Sequence, residues 1–127
     1  MYTYFNPNPK KKKTADDCVI RAICAAENCT WDEVFKELCE IAFELKEMPN
    51  TIKVIEKYLA KYGWIKHPIK PVKGSKRPTV KEMADLSRSQ GIIICNVAHH
   101  LVTVKDGDIL DIWDCSESCL YTYWTLY

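Results

Sequence analysis

The stretch HHLVTVKDGDILDIW, residues 99–113, decides how the C-terminal part of this chain folds. An Asp-Gly pair between two apolar, β-branched segments is the strongest short signal of a β-hairpin closed by a two-residue type I′ turn. Residues 92–104 (IIICNVAHHLVTV) are mostly apolar and predict one long central strand. Residues 119–127 (CLYTYWTLY) predict a last strand, which as a sheet edge would accept an extended peptide.

The turn type decides which side chains of the hairpin share a face. With a two-residue turn at Asp106-Gly107, His100 lies opposite Trp113. Asp111 is then the diagonal neighbour of His100 on the same face. That face carries a base, an acid to orient the base, and an indole to shield the hydrogen bond between them.

A three-residue turn with a bulge is the alternative. It shifts the register by one residue and makes Asp114 the acid opposite His100. Because side chains alternate along a strand, His99 and His100 point to opposite faces, and the two-residue turn sets His99 opposite Asp114. We expect the register with Asp111, because Asp-Gly favours the two-residue turn.

The segment before the hairpin carries helical patterns. Thr14 and Asp17 have the spacing of a capping box and predict the start of a first helix, with apolar residues recurring behind them. Thr30 and Glu33 form a second such pair, followed by apolar residues at helical spacing. Two helices are therefore expected in the first part of the chain.

Further elements complete the order. A third helix is predicted from Asn50 to Gly63, and a short helix over residues 79–88. Residues 64–78 hold three prolines and predict a strand fragment followed by a surface loop. Residues 1–13 are expected to be an N-terminal arm with some strand character. Helices followed by an antiparallel sheet predict the α+β class.

Composition and charge narrow the possible partners. The 127 residues are 47% hydrophobic and suit one globular domain over the whole chain. The formal net charge is +1, and the only charge run, Lys10–Lys13, predicts a solvated arm. We therefore expect neither a nucleic-acid partner nor a membrane partner. The oligomeric state does not follow from the sequence.

Cysteine usage points to the compartment. The seven cysteines are an odd number, and no export signal or bilayer-length apolar run accompanies them. A disulfide framework is therefore not expected. These features together predict a cytoplasmic protein with free thiols.

Cys18 is the candidate nucleophile. It lies at about the fourth residue of the first predicted helix, where the helix dipole lowers the pKa of a thiol. Asp16 and Asp17 act in the opposite direction, and a buried core thiol is the alternative interpretation. His100 and a strand acid supply the other two groups that nucleophilic catalysis by a thiol requires.

The order of three segments resembles the papain-like cysteine peptidases. They are DDCVIRAI (residues 16–23), HHLVTV (99–104) and DIWD (111–114). The resemblance is nearest to the small bacterial and phage types, such as bacteriocin-leader-processing peptidases and cell-wall endopeptidases. The resemblance covers residues 14–114. It implies a papain-like fold in which N-terminal helices pack on a C-terminal antiparallel sheet and the nucleophile lies at the start of a helix.

The resemblance also implies roles for single residues. Cys18 matches the nucleophile, His100 the base and Asp111 the orienting acid. Asp111-Ile112-Trp113 is similar to the family's Asn-x-Trp arrangement, in which the indole covers the contact between acid and histidine. The implied reaction is hydrolysis of a peptide or isopeptide bond in a peptide or protein substrate, through an acyl-enzyme. The family needs no metal and no organic cofactor.

The chain departs from the family pattern at the oxyanion hole. Many relatives carry a glutamine a few residues before the nucleophile, where this chain has Lys12. The backbone N–H of Cys18 is one expected donor. Asn8, Lys12 and Lys13 are the alternatives for the second donor.

A zinc site is a rival interpretation. Cys115 and Cys119 have C-x₃-C spacing, and Cys95, His99 or His67 would complete a ligand set. No second clustered pair accompanies them, so we expect no metal.

Two other rivals share the fold. A catalytically weak or inactive module of this fold would use the basic segment 66–81 to bind or inhibit a protein partner. A transglutaminase-type or deamidase-type enzyme would use the same Cys, His and Asp. The triad does not separate these from a peptidase, because the cleft selects the acceptor.

Overall fold

A computed structural model describes residues 1–127 and shows four helices and a six-stranded mixed sheet. The helices are α1 (Cys18–Glu27), α2 (Trp31–Leu45), α3 (Ile52–Lys61) and α4 (Val80–Gln90). The strands are β1 (Tyr2–Tyr4), β2 (Ile65–Pro68), β3 (Ile93–Val97), β4 (His100–Lys105), β5 (Asp108–Asp111) and β6 (Thr122–Thr125). The predicted α+β class is confirmed.

The sheet separates two apolar cores. Its strand order is β1-β5-β4-β3-β6-β2, and only the β1–β5 pair is parallel. Ile94 and Leu101 join the core beneath α1, α2 and α3, whereas Ile93 and Val102 join the core beneath α4. This alternation follows from the two-residue period of a strand. Both faces are covered by helices, so the apolar runs of the central strands are buried on both sides.

The β4–β5 hairpin has the predicted two-residue turn. Lys105 pairs with Asp108 across it. Asp106 and Gly107 both have positive φ, 51° and 87°, as a type I′ turn requires. The alternative register, which would make Asp114 the acid opposite His100, is not formed.

The prediction of one long strand over residues 92–104 is wrong. β3 and β4 are an antiparallel pair joined at Ala98 and His99, with Val97 opposite His100. His99 has φ 53°, and the tight turn contains no glycine or proline that would mark it in the sequence. His99 therefore lies exposed at a hairpin tip, and its predicted place on a strand opposite Asp114 is wrong.

The two ends of the chain are placed differently from expectation. Residues 1–13 were predicted to be an arm with some strand character. The strand is present as β1, but it pairs with β5, and Asn6 and Asn8 are buried, so the segment is part of the fold. The lysines of residues 10–13 are exposed, as predicted for a solvated run of charge. β6 lies between β3 and β2 and is not a sheet edge, so the predicted peptide-pairing edge is wrong.

A side-chain cap forms at the start of two of the four helices, α2 and α4. The predicted capping box of Thr30 is formed, and Thr79, the first residue of the predicted short helix, caps α4. Thr51, not Asn50, occupies the N-cap of α3. None of the four helices is both long and apolar enough to cross a bilayer.

The first helix begins later than predicted. α1 starts at Cys18, with Asp17 and not Thr14 at the N-cap position. Asp16 has φ 52°, in the left-handed region, so the chain cannot be helical through that residue. Cys18 is consequently the first helical residue instead of about the fourth.

Candidate active site

Cys18 lies where a thiolate is best stabilised by the backbone. As the first residue of α1 it is next to the N–H groups that have no acceptor within the helix. Burial alone would raise the pKa of the Cys18 thiol. Hydrogen bonds from the His100 imidazole and the Leu101 N–H, with the charges of His100 and Arg21, outweigh burial and lower that pKa.

His100 connects the thiol to an acid. Its Nε2 atom lies 2.5 Å from Oδ2 of Asp111, and its side chain is 9% exposed. Burial alone would lower the pKa of His100. Hydrogen bonds with Asp111, Cys115 and Cys18, with the Asp111 charge, overcome burial and raise the pKa to about 11. Because Nε2 is held by Asp111, Nδ1 is the ring nitrogen left to exchange a proton with Cys18.

Asp111 is held by several donors besides His100. Its Oδ1 accepts hydrogen bonds from the backbone N–H of Ile112 at 2.7 Å and from Nη2 of Arg21 at 3.3 Å. The thiol of Cys115 donates to Oδ2 at 3.6 Å. The carboxylate is buried and fixed in one orientation. Asp114, the alternative acid, is exposed and accepts from the backbone of Ser116.

The structure thus brings Cys18, His100 and Asp111 together as predicted. The ring of Trp113 packs against His100 with centroids 5.0 Å apart. Trp113 is about half exposed, so it shields one side of the pair from water. This is the covering position expected for the indole.

A buried ion network was missed in the sequence. Arg21, one turn after Cys18, pairs with both Asp17 and Asp111. Oδ2 of Asp17 also accepts from Nε1 of Trp31 at 2.9 Å and from Nδ2 of Asn8 at 3.2 Å. The i, i+4 spacing of Asp17 and Arg21 was the available signal. Its partner Asp111 is distant in sequence.

This network changes the expected electrostatics at the thiol. Asp17 was expected to raise the pKa of Cys18, but its charge is compensated by Arg21. Arg21 instead acts on the thiol as a cation and lowers its pKa. Arg21 also links the helix that carries the nucleophile to the strand that carries the acid.

None of the side chains proposed for the oxyanion hole is placed for that role. Asn8 is buried, and its amide is used by Asp17 and by the backbone N–H of Lys10. Lys12 is exposed, and the ammonium of Lys13 lies over the ring of Tyr4 at 5.8 Å. The remaining donors are backbone N–H groups at the start of α1.

One group of side chains has the composition of a metal site. Ligand atoms of His100, Asp111 and Cys115 lie within 4.8 Å of one another. Two ligands of one tetrahedral zinc ion stand about 3.3 Å apart, whereas Nε2 of His100 and Oδ2 of Asp111 are 2.5 Å apart. At that distance the two atoms are hydrogen-bonded to each other. Cys119, paired in the predicted zinc set with Cys115, is not part of the group.

Two cavities lie near the start of α1, and one of them is lined by the nucleophile. One, of about 640 Å³, is lined by Cys18, His100, Asn96 and Tyr121. The other, of about 660 Å³, lies between the N-terminal segment and α2. Val19 and Asn50 line both, so the two cavities are adjacent.

No protein-family model, curated protein or solved structure matches this chain. The site combines a half-buried thiol of lowered pKa with an imidazole that a buried acid holds, and both line a cavity. This arrangement is suited to nucleophilic attack and proton transfer.

Proposed function

We propose that this protein is a papain-like thiol hydrolase that cleaves a peptide or isopeptide bond. The carrying observation is that Cys18, the first residue of a helix, lines one cavity with His100, which lowers the pKa of the thiol and whose Nε2 is held by buried Asp111. The chain order of thiol on a helix and then histidine and acid on neighbouring strands supports the papain-like assignment. All seven cysteines are free thiols, which suits a reducing compartment, so we place the activity in the cytosol.

The mechanism has two steps. The Cys18 thiolate attacks the substrate carbonyl, and the His100 imidazolium donates its proton to the leaving amine, which departs and leaves a thioester. In the second step His100 takes a proton from water, the resulting hydroxide attacks the thioester, and the carboxylic acid is released while Cys18 leaves as the thiolate, which restores the thiolate–imidazolium pair. Asp111 orients the ring and stabilises the imidazolium in both steps.

A peptide library tests the proposal. The protein is incubated with peptides derived from a proteome, and new amino termini are identified by mass spectrometry. Wild type is expected to cleave, whereas Cys18→Ala and His100→Ala are not. Cys29→Ala is the matched control, because burial and nearby acids raise the pKa of that thiol and it lies outside the site. It should retain full activity.

The products separate related reactions. New amino termini identify hydrolysis, whereas conversion of glutamine to glutamate, or incorporation of an added amine, identifies deamidation or acyl transfer. Absence of any product and of any acyl-enzyme would refute the enzyme proposal. A peptide-binding module would then be the better account, as favoured by the missing oxyanion amide, since Asn8 is used by Asp17.

A further inference from the structure

One segment of the chain is uniformly basic. Residues 64–81 contain six of the 18 lysines and arginines and none of the 17 acids, so the rest of the chain is net acidic. Lys66 pairs with Glu56 at 2.9 Å. The other five make no ion pair: Lys70, Lys73, Lys76, Arg77 and Lys81. This concentration of unpaired cations is the largest departure from the balanced charge of the whole chain.

The basic loop is fixed beside the catalytic cleft. At one end the N–H of Ile69 donates to the carbonyl of Tyr121 at 3.0 Å. At the other end the carbonyl of Pro78 accepts from the N–H of Leu120 at 2.9 Å. Tyr121 itself lines the cavity that contains Cys18. Both ends of the loop are therefore tied to the segment that forms one wall of the cleft.

Arg77 lies at this wall, and its guanidinium has a hydrogen-bond donor without a partner in the chain. Its Cζ atom lies 4.7 Å from the centre of the Tyr121 ring, and its Nε is buried without a hydrogen-bond partner. The cation–π contact holds the guanidinium beside the ring, and no carboxylate of the chain pairs with it. A guanidinium held in this way is suited to bind an incoming carboxylate through two parallel hydrogen bonds.

The neighbouring cavity does not share this character. It lies between the N-terminal segment and α2 and is lined by both signs of charge, Lys10 and Lys12 with Asp16 and Asp32. The wall at Tyr121 is instead joined to residues 69–78, which carry four cations and no acid. An excess of positive charge is therefore expected on that side of the thiol.

We propose that Arg77 and the lysines of residues 70–76 bind an acidic segment of the substrate, with aspartate or glutamate on one side of the bond that is cleaved. The inference rests on the proposed function for the position of that bond. A peptide fits better than a single-stranded nucleic acid, because base stacking needs open aromatic faces. One face of the ring of Tyr121, the aromatic residue that lines this wall, is already occupied by Arg77.

Binding tests the inference without catalysis. Cys18→Ala protein is titrated into two fluorescent peptide pools that are identical except for glutamate in one and glutamine in the other. We expect about tenfold tighter binding of the glutamate pool at low salt, falling as salt rises, as for a charge-assisted hydrogen bond. Arg77→Gln in the same background should bring the ratio close to one. Lys57→Gln, an exposed cation of α3 without an ion pair, should leave the ratio unchanged.

The outcomes are distinguishable. Equal binding of both pools, or a preference that survives Arg77→Gln, would overturn the inference. Displacement of the peptides by a single-stranded RNA oligonucleotide at lower concentration than the glutamate pool would overturn it in favour of nucleic acid. Selective binding of the glutamate pool with no turnover by wild type would support the inference and refute the proposed hydrolase.

Discussion

Arg21→Met is the substitution that most severely tests the buried network. Arg21 is the cation shared by Asp17 and Asp111, and the three side chains are 6%, 1% and 2% exposed. Removing one partner of a buried ion pair costs about 3–5 kcal/mol, because the other charge stays buried without compensation. Asp17 keeps two neutral donors and Asp111 keeps His100, so we expect the lower end, about 3 kcal/mol.

Urea denaturation followed by circular dichroism measures this loss. For a small domain the slope is about 1–3 kcal/mol per molar urea, so the midpoint should fall by roughly 1–3 M. Asp17→Asn/Arg21→Met removes an anion with the cation and should recover at least about 1 kcal/mol of the loss. Arg88→Met is the matched surface control. Its 4.0 Å pair with Asp85 is exposed and should contribute less than about 1 kcal/mol.

Two results would refute the reasoning. If Arg21→Met were within about 0.5 kcal/mol of wild type, Arg21 would not be compensating two buried carboxylates. If the double variant were as unstable as the single one, the loss would come from packing around the side chain and not from an uncompensated charge.

Three further predictions concern the site itself, each read from kcat/KM on a peptide found by library cleavage. Asp111→Asn should lower kcat/KM by a factor of about 10³–10⁴, because the His100 ring loses its orienting carboxylate. Asp114→Asn should change kcat/KM by less than about twofold. The reverse order would mean that the acid is misassigned. The plot of kcat/KM against pH should rise as Cys18 deprotonates, with a pKa below the usual thiol value of about 8.5, and should fall as His100 loses its proton at about 11. A profile that rises only above about pH 8.5 would contradict the thiolate–imidazolium pair. Cys115→Ser preserves a hydrogen-bond donor to Asp111 and should retain most of the kcat/KM. Cys115→Ala removes that donor and should lower kcat/KM by about tenfold. Equal values for the two variants would show that this thiol does not position the acid.

Local signals predicted the parts of the fold that depend on neighbouring residues. The Asp106-Gly107 turn was predictable because type I′ geometry requires positive φ at both positions, and that turn sets the register at Asp111. The Thr30 capping box was predictable because all its partners lie within one turn. The register set by the turn predicted that Asp111 is the acid beside His100.

The parts that were missed depend on tertiary contacts. The turn at His99 lies inside an apolar run, so composition alone extends the strand through it. The pairing of β1 with β5 joins residues far apart in sequence, and no local pattern of residues 1–13 indicates it. The same applies to the contact of Arg21 with Asp111, which makes a helix residue part of the site.

The most direct test of the central claim is alkylation of the native protein by iodoacetamide as a function of pH, with the modified cysteine identified by mass spectrometry. An activated nucleophile predicts selective modification of Cys18 with an apparent pKa below the free-thiol value of about 8.5, rising to that value or above in His100→Ala. Slow modification of Cys18, or modification at the same rate as the other half-buried thiols and independent of His100, would contradict the claim. Cys18 would then be a packing residue of α1.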